Sequence, residues 1–215
     1  MSVNRNPAER GSSSKLLIKQ TARRLFAERG VHDVSVREIA TTANQRNLGV
    51  VAYYFTTKNN LITEILIDGA ERIEARRKDY LSELEADGGP LSVEDVVAAI
   101  VLPSAQFADE DGVYGKFFNR YLYQLSLFSS QLIDRTLEGR SNEGYQRCLS
   151  LLRDLLPHLS KAQQNRRFVF MNMYVSALLA QRELMLADDD GDHPTWKSDE
   201  TLNDIVRTAA ALLRA

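Results

Sequence analysis

Residues 35 to 58, SVREIATTANQRNLGVVAYYFTTK, constrain the fold of this chain more than any other stretch. Ser35, with Glu38 three residues later, has the pattern of a capping box, which starts a helix with its first amides satisfied. Ile39, Ala40 and Ala43 give that helix a narrow apolar face, and such small residues let a second helix approach closely. Asn44 falls where the chain must turn, and Asn tolerates the left-handed backbone better than most residues other than Gly. A second short helix follows, with Val50, Val51 and Phe55 as its inward face. Two short helices joined by a tight corner are the layout of a helix-turn-helix, whose second helix lies in the DNA major groove. Gln45, Arg46 and Asn47 fall at the expected start of that helix. There Arg can bond guanine bidentately, and Asn or Gln can do the same with adenine.

The flanks agree with this reading. A helix is predicted from Ser13 to Arg29, with Ile18, Ala22, Leu25 and Phe26 on one face and Lys19, Arg23 and Arg24 on its other sides. Gly30 closes it as a C-cap. Residues 1–12 are polar and include Pro7 and Gly11, so a flexible basic arm is expected there. The whole chain carries a net charge of −2, but residues 1–60 hold ten Lys/Arg against four Asp/Glu, for +6. The other 155 residues hold seventeen against twenty-five, for −8. A basic head on an acidic body turns one end toward phosphates.

The run from Ser35 to Lys58, with the helix before it, resembles the N-terminal domain of the tetracycline-repressor (TetR) family of transcription factors. The matching features are Leu25-Phe26-Ala27-Glu28-Arg29-Gly30, then Val36-Arg37-Glu38-Ile39-Ala40, then Tyr53-Tyr54-Phe55 followed by Lys58. The resemblance covers residues 13 to about 70. It implies that Tyr54 and Lys58 touch phosphates and that Tyr53 helps seat the helix. The DNA-facing set is then Ser35, Arg37, Gln45, Arg46, Asn47, Tyr53, Tyr54 and Lys58. The corner from Asn44 to Asn47 is one residue longer than the commoner family form. Ala52 stands where many members carry a phosphate-touching aromatic. The expected division is an arm over 1–12, the helix-turn-helix over 13–58, and a helical ligand-binding and dimerisation domain over 59–215.

A long helix is predicted from about residue 58 to Ala86, with Leu61, Ile65, Leu66, Ile73, Tyr80 and Leu84 as its apolar positions. Its charged middle, Glu71 to Asp79, reads as solvated, and Asp87-Gly88-Gly89-Pro90 breaks it. Helical spacing continues over 91–107, 113–137, 143–156, 161–187 and 198–214, with no persistent strand-like alternation, so the fold expected is all-α. The apolar run Val96 to Leu102 is too short for a membrane span, and the polar start is not a signal peptide. Single Cys148 excludes an intramolecular disulfide and fits a reducing cytoplasm; the cysteine reads as a buried small hydrophobe.

Aromatic residues crowd positions 107 to 174. Phe107, Phe117, Phe118, Tyr121, Phe128, Tyr145, Met171 and Tyr174 are candidates to line an apolar small-molecule pocket, as the resemblance also implies. The last two helices carry Phe168, Val175, Leu178 and Leu179, then Leu202, Ile205, Val206, Ala209 and Leu213. That apolar surface is expected to form a four-helix dimer interface. A two-fold dimer would read a palindromic operator with half-sites about 34–36 Å apart or a multiple of that.

An enzyme is the alternative class. His32, His158 and His193 are widely separated, and no phosphate-cradling glycine loop or nucleophile elbow occurs. Asp188-Asp189-Asp190 with Asp192 and His193 is the one metal-like cluster, which an all-α enzyme would use for a divalent cation, but it lacks calcium-loop spacing and a second acidic motif, and it reads as a solvated loop. A DNA-binding protein without a ligand is a further alternative. The expectation is a homodimeric, cofactor-free, all-helical repressor released from DNA by a small apolar or aromatic ligand.

Overall fold

The structure is a computed structural model that describes residues 7–86, 88, 91–110, 112, 114–138, 140–187 and 193–215. The described residues form helices α1 (Pro7–Arg29), α2 (Val36–Thr42), α3 (Val50–Phe55), α4 (Lys58–Ala86) and α5 (Val93–Glu110). They continue with α6 (Phe118–Leu137), α7 (Glu143–Leu155), α8 (Lys161–Met185) and α9 (Asp199–Arg214), and contain no strand. The all-α expectation therefore holds.

The first three helices and the start of α4 close over one core. Ile18, Ala22 and Phe26 of α1, Ile39 and Ala40 of α2, Val51 and Phe55 of α3, and Leu61 and Ile65 of α4 are all buried in it. Helix α1 begins at Pro7, earlier than the expected Ser13. Proline costs little at a first helical position, where the N–H would have no intrahelical partner. Residues 7–12 are thus helical instead of a flexible arm; the expectation for residues 1–6 lies outside the described residues. Gly30 closes α1 at φ 83°, its N–H bonding the Phe26 carbonyl at 2.9 Å. Lys19 pairs with Asp68 at 2.7 Å and Lys15 with Glu64 at 2.9 Å, tying α1 to α4. Arg23 is buried and donates to the Tyr114 carbonyl.

Helix α6 joins this head to the body. The chain turns over 114–117 instead of continuing a helix from 113, because Phe117 adopts a left-handed conformation at φ 68°. Phe117 supplies no side-chain cap, but Glu183 of α8 does, its Oε2 accepting the Arg120 N–H at 2.8 Å. The next turn then enters the head. The Phe118 ring fills the space above Gly69, where a β-carbon would overlap it. Tyr121 stacks on Phe26 with ring centres 6.2 Å apart and donates its hydroxyl to the Ile62 carbonyl at 2.7 Å.

A second core gathers α5, α7, α8 and α9 around Val96, Val97, Val101, Leu152, Met171 and Ala209. Pro103 lies inside α5. Lacking an N–H, it leaves the Ala99 carbonyl without its helical donor. Arg77 Nε of α4 takes that carbonyl instead, at 3.1 Å. Arg77 Nη1 also bonds Glu74 Oε2 at 2.9 Å, and Glu74 Oε1 accepts the Gly144 N–H. Glu74 and Arg77 are 4% and 7% exposed, which corrects the expected solvated middle of α4. Close approach of α7 explains the difference, since any β-carbon at Gly144 would strike the Glu74 carboxylate.

Two predictions follow from this packing. Gly69→Ala gains about 1 kcal/mol of helix propensity but overpacks the Phe118 seat by about 1–3 kcal/mol. A net loss of stability is expected, seen as a melting temperature lower by several degrees at about 2–4 °C per kcal/mol; an unchanged or raised melting temperature contradicts the packing. The second concerns Glu183, whose carboxyl burial pushes up to about 7, against the pull of the Arg120 and Phe117 amides and of Arg120 and Arg23. An acid raised above its unfolded value of about 4.3 holds its proton more tightly when folded. Its stabilising contribution is present at low pH and is lost as pH rises toward 7. Between pH 4.5 and pH 8 the native chain should lose on the order of 2–3 kcal/mol relative to Glu183→Gln, read from paired urea midpoints; parallel midpoints contradict this.

Candidate nucleic-acid interface

The corner between α2 and α3 is built by local hydrogen bonds. Ser35 caps α2, its hydroxyl accepting the Glu38 N–H at 3.1 Å. The reciprocal half of the expected capping box is not made: the Glu38 carboxylate turns to Arg29 of α1 instead. At the other end Asn44 takes φ 51°, as its position in the turn requires. The Asn44 N–H bonds the Thr41 carbonyl and the Gln45 N–H the Ala40 carbonyl, each at 3.0 Å, completing a Schellman motif with Asn in the glycine place.

The longer corner moves the start of the second helix. Asn47 Oδ1 accepts the Gly49 N–H at 2.9 Å, an Asx turn that holds residues 47–49 out of the helix. Helix α3 therefore begins at Val50 rather than at Gln45, so Gln45, Arg46 and Asn47 lead into it instead of forming its first turn. Gln45 is half-buried and donates to the Ala43 carbonyl at 2.9 Å, while Arg46 and Asn47 are exposed. Val51 and Phe55 anchor the inner face of α3, at 1% and 2% exposure. Ser35, Arg37, Leu48, Gly49, Ala52 and Tyr53 are exposed around the motif.

The two tyrosines sit in different settings. Tyr53 is 80% exposed and does not seat the helix; Tyr54 packs against the head core, edge-on to Tyr53 and Phe55 with ring centres 5.0 Å and 6.3 Å away. On a helix anchored by Val51 and Phe55, position 54 neighbours position 51 at i+3 while position 53 points away. Lys58 opens α4, half-buried, with its ammonium 5.7 Å from the Phe26 ring centre. Burial holds its pKa below the usual lysine value, and the nearby Asp33 carboxylate partly offsets this. Exposed Leu48 and the Gly49 cap escaped the sequence reading, although the Asn47-x-Gly49 spacing was a usable turn signal.

In the body, α4 to α8 line a cavity of about 280 Å³ that opens partly to solvent. Of the aromatics expected to line a pocket, Phe118 and Tyr145 do so. Tyr174 lines an adjoining open groove and bonds Thr208 through its hydroxyl at 2.6 Å. Phe107, Tyr121 and Met171 are fully buried in the two cores, and Phe128 is 64% exposed beside His32. Phe117 sits half-buried at the α6 cap, with the Arg120 guanidinium 5.8 Å from its ring centre. Spacing alone could not separate core from wall. Arg77, Asn119 and Asn172 also line the cavity, and nothing in the spacing of polar residues marks them as its walls.

The expected dimer residues also need correction. Phe168, Val175, Leu179, Ile205, Val206, Ala209 and Leu213 are buried within this chain's own second core, and Leu178 and Leu202 pack at its edge. They form the seam between α8 and their own neighbours. The outward stripe of α8 is instead Phe170, Met173, Ala177 and Leu184, whose large members are 55%, 60% and 43% exposed. Cys148 is buried, which pushes its thiol up to about 11. Residues 188–192 of the acidic loop lie outside the described residues; the His193 ring is 6.5 Å from that of Trp196. Among the described residues no group of three acidic, His or Cys side chains is placed to hold a metal, and no helix is long and apolar enough to cross a membrane.

The placement of the tyrosines is directly testable. Tyr53→Ala should change unfolding stability by less than about 0.5 kcal/mol, as for an exposed site. Tyr54→Ala should cost about 1–3 kcal/mol through lost packing. Denaturant midpoints in the opposite order contradict the placement.

Comparison with known proteins agrees with this architecture. Residues 18–65 match the model of the tetR family of bacterial regulatory proteins, and residues 98–211 match a tetracyclin repressor-like C-terminal domain. No curated protein matches the sequence. Among solved structures, one assigned to the tetR family of transcription regulators, from Shewanella sp. PV-4, aligns at 15% identity and TM-score 0.60, over 94% of this chain and 96% of that one. The superantigen PfiT aligns at 14% identity and TM-score 0.50, over 93% of this chain and 95% of that one. The family models cover head and body alike, and the chain belongs to the tetR family of DNA-binding bacterial transcriptional regulators.

Proposed function

We propose that the protein is a cytoplasmic homodimeric repressor that holds a palindromic operator and is released by a small ligand bound in its body. The observation that carries the DNA half is the exposed face of the motif, where Arg37, Arg46, Asn47 and Tyr53 surround a helix pinned from behind by Val51 and Phe55. Arg46 is the base-reading candidate, and Arg37, Tyr53, Tyr54 and Lys58 are assigned to phosphates, with Ser35 at the α2 cap. Helix α3 has only six residues. One such helix offers few base contacts, so two heads on one duplex are part of the mechanism.

The dimer reading now rests on the exposed α8 stripe. Phe170, Met173, Ala177 and Leu184 recur at heptad-like spacing, the pattern by which helices of two copies interlock. Ligand control rests on the cavity. Leu66 and Ile73 of α4 and Phe118 of α6 line it, and the same Phe118 sits in the Gly69 seat beside the head core. A ligand that favours a displaced Phe118 would shift α4 and change the separation of the two heads. Only matched spacing engages both half-sites.

Arg46→Ala should lower discrimination between operator and random DNA by about 1–3 kcal/mol. Lys58→Ala should weaken both alike and reduce the slope of log affinity against log salt by about one. Equal effects of the two changes on both DNAs would contradict these roles. Met173→Glu should convert the dimer to a monomer by light scattering and remove operator binding while the melting transition persists; a dimer that survives it contradicts the α8 interface.

A further inference from the structure

The cavity wall mixes apolar with polar side chains, and one corner of it carries a buried cation. Arg77 lines it and is held rigidly, Nε on the Ala99 carbonyl that Pro103 leaves open and Nη1 on Glu74. Glu74 is absent from the lining, and both its oxygens are engaged, one by Arg77 and one by the Gly144 N–H. The pair therefore shows the cavity its guanidinium, with the carboxylate turned behind. Arg77 Nη2 has no hydrogen-bond partner among the described residues. The Tyr145 hydroxyl also has none, and its ring centre is 5.6 Å from the guanidinium. Asp134 is the acid on the wall, and it is exposed to solvent.

Resting on the reading of the cavity as the ligand site, we propose that its ligand is a monocarboxylate. The carboxylate accepts from Arg77 Nη2 and the Tyr145 hydroxyl, and its apolar body lies along Leu66, Ile73, Phe118 and Leu122. At ~30 Å³ per water-sized group, 280 Å³ holds a molecule of roughly ten heavy atoms. Octanoate has that size, and octan-1-ol is its uncharged counterpart.

The test is calorimetric titration of the full chain with each probe. Octanoate is expected to bind at least about tenfold more tightly than octan-1-ol, although the alcohol is the more hydrophobic. Tyr145→Phe should weaken octanoate about tenfold and leave the alcohol unchanged. Ala70→Leu, which fills the cavity from α4, should abolish binding of both. If the alcohol binds as well as the acid and Ala70→Leu removes both, the carboxylate class is overturned while the cavity stands as a ligand site. If Ala70→Leu leaves octanoate binding intact, or neither probe binds at millimolar concentration, the cavity reading falls with the class.

Discussion

The architecture depends on one turn of α6, from Phe118 to Tyr121, seated between α1 and α4. Tyr121 stacks on Phe26 of the head and bonds a carbonyl of α4. Phe118 occupies the place a side chain at Gly69 would need. Because Phe118 and Leu66 also line the cavity, the head core and the cavity share a wall. Close-packed interiors transmit a displacement instead of absorbing it. Phe118 thus bears on Gly69 of α4, and the same turn of α6 holds Tyr121 against Phe26 of α1.

Polar groups inside the body follow a second chain of consequence that begins with one proline. Pro103 removes a backbone donor from α5, the orphaned Ala99 carbonyl takes Arg77, and Arg77 brings Glu74 inward. Gly144 then lets α7 close over the carboxylate. Each step answers the requirement that buried polar groups find partners. At the α6 start, where a left-handed Phe117 leaves amides that no local side chain caps, one Glu183 oxygen accepts the Arg120 N–H while the other is buried without a hydrogen-bond partner.

Much of this was readable in the chain. The head was legible because its signals are local: the Ser35 cap, the Asn44 turn, the Gly30 stop and the apolar spacing from Ile18 to Phe26 each depend on neighbours a few residues away. Helix α4 was bounded correctly at residue 86 by the Asp-Gly-Gly-Pro break. Pairing across the fold was not legible. Glu74 and Arg77 read as surface charges because their partners, Ala99 and Gly144, are distant in sequence. The same limit turned core residues such as Phe168, Val175 and Ile205 into a supposed interface, since an apolar stripe does not say which of two neighbours it meets. Tyr53 and Tyr54 differ by one position, and only the rotation of α3 about its Val51 and Phe55 anchors decides which of the two packs.

The central claim, that two copies of this head read one duplex, is tested most directly by selecting random double-stranded DNA on the purified chain in moderate salt and sequencing what survives. The account predicts a two-fold palindrome whose half-site centres are one helical turn apart or a multiple of it. Recovery of a single non-repeated motif, or of nothing above background, would contradict it.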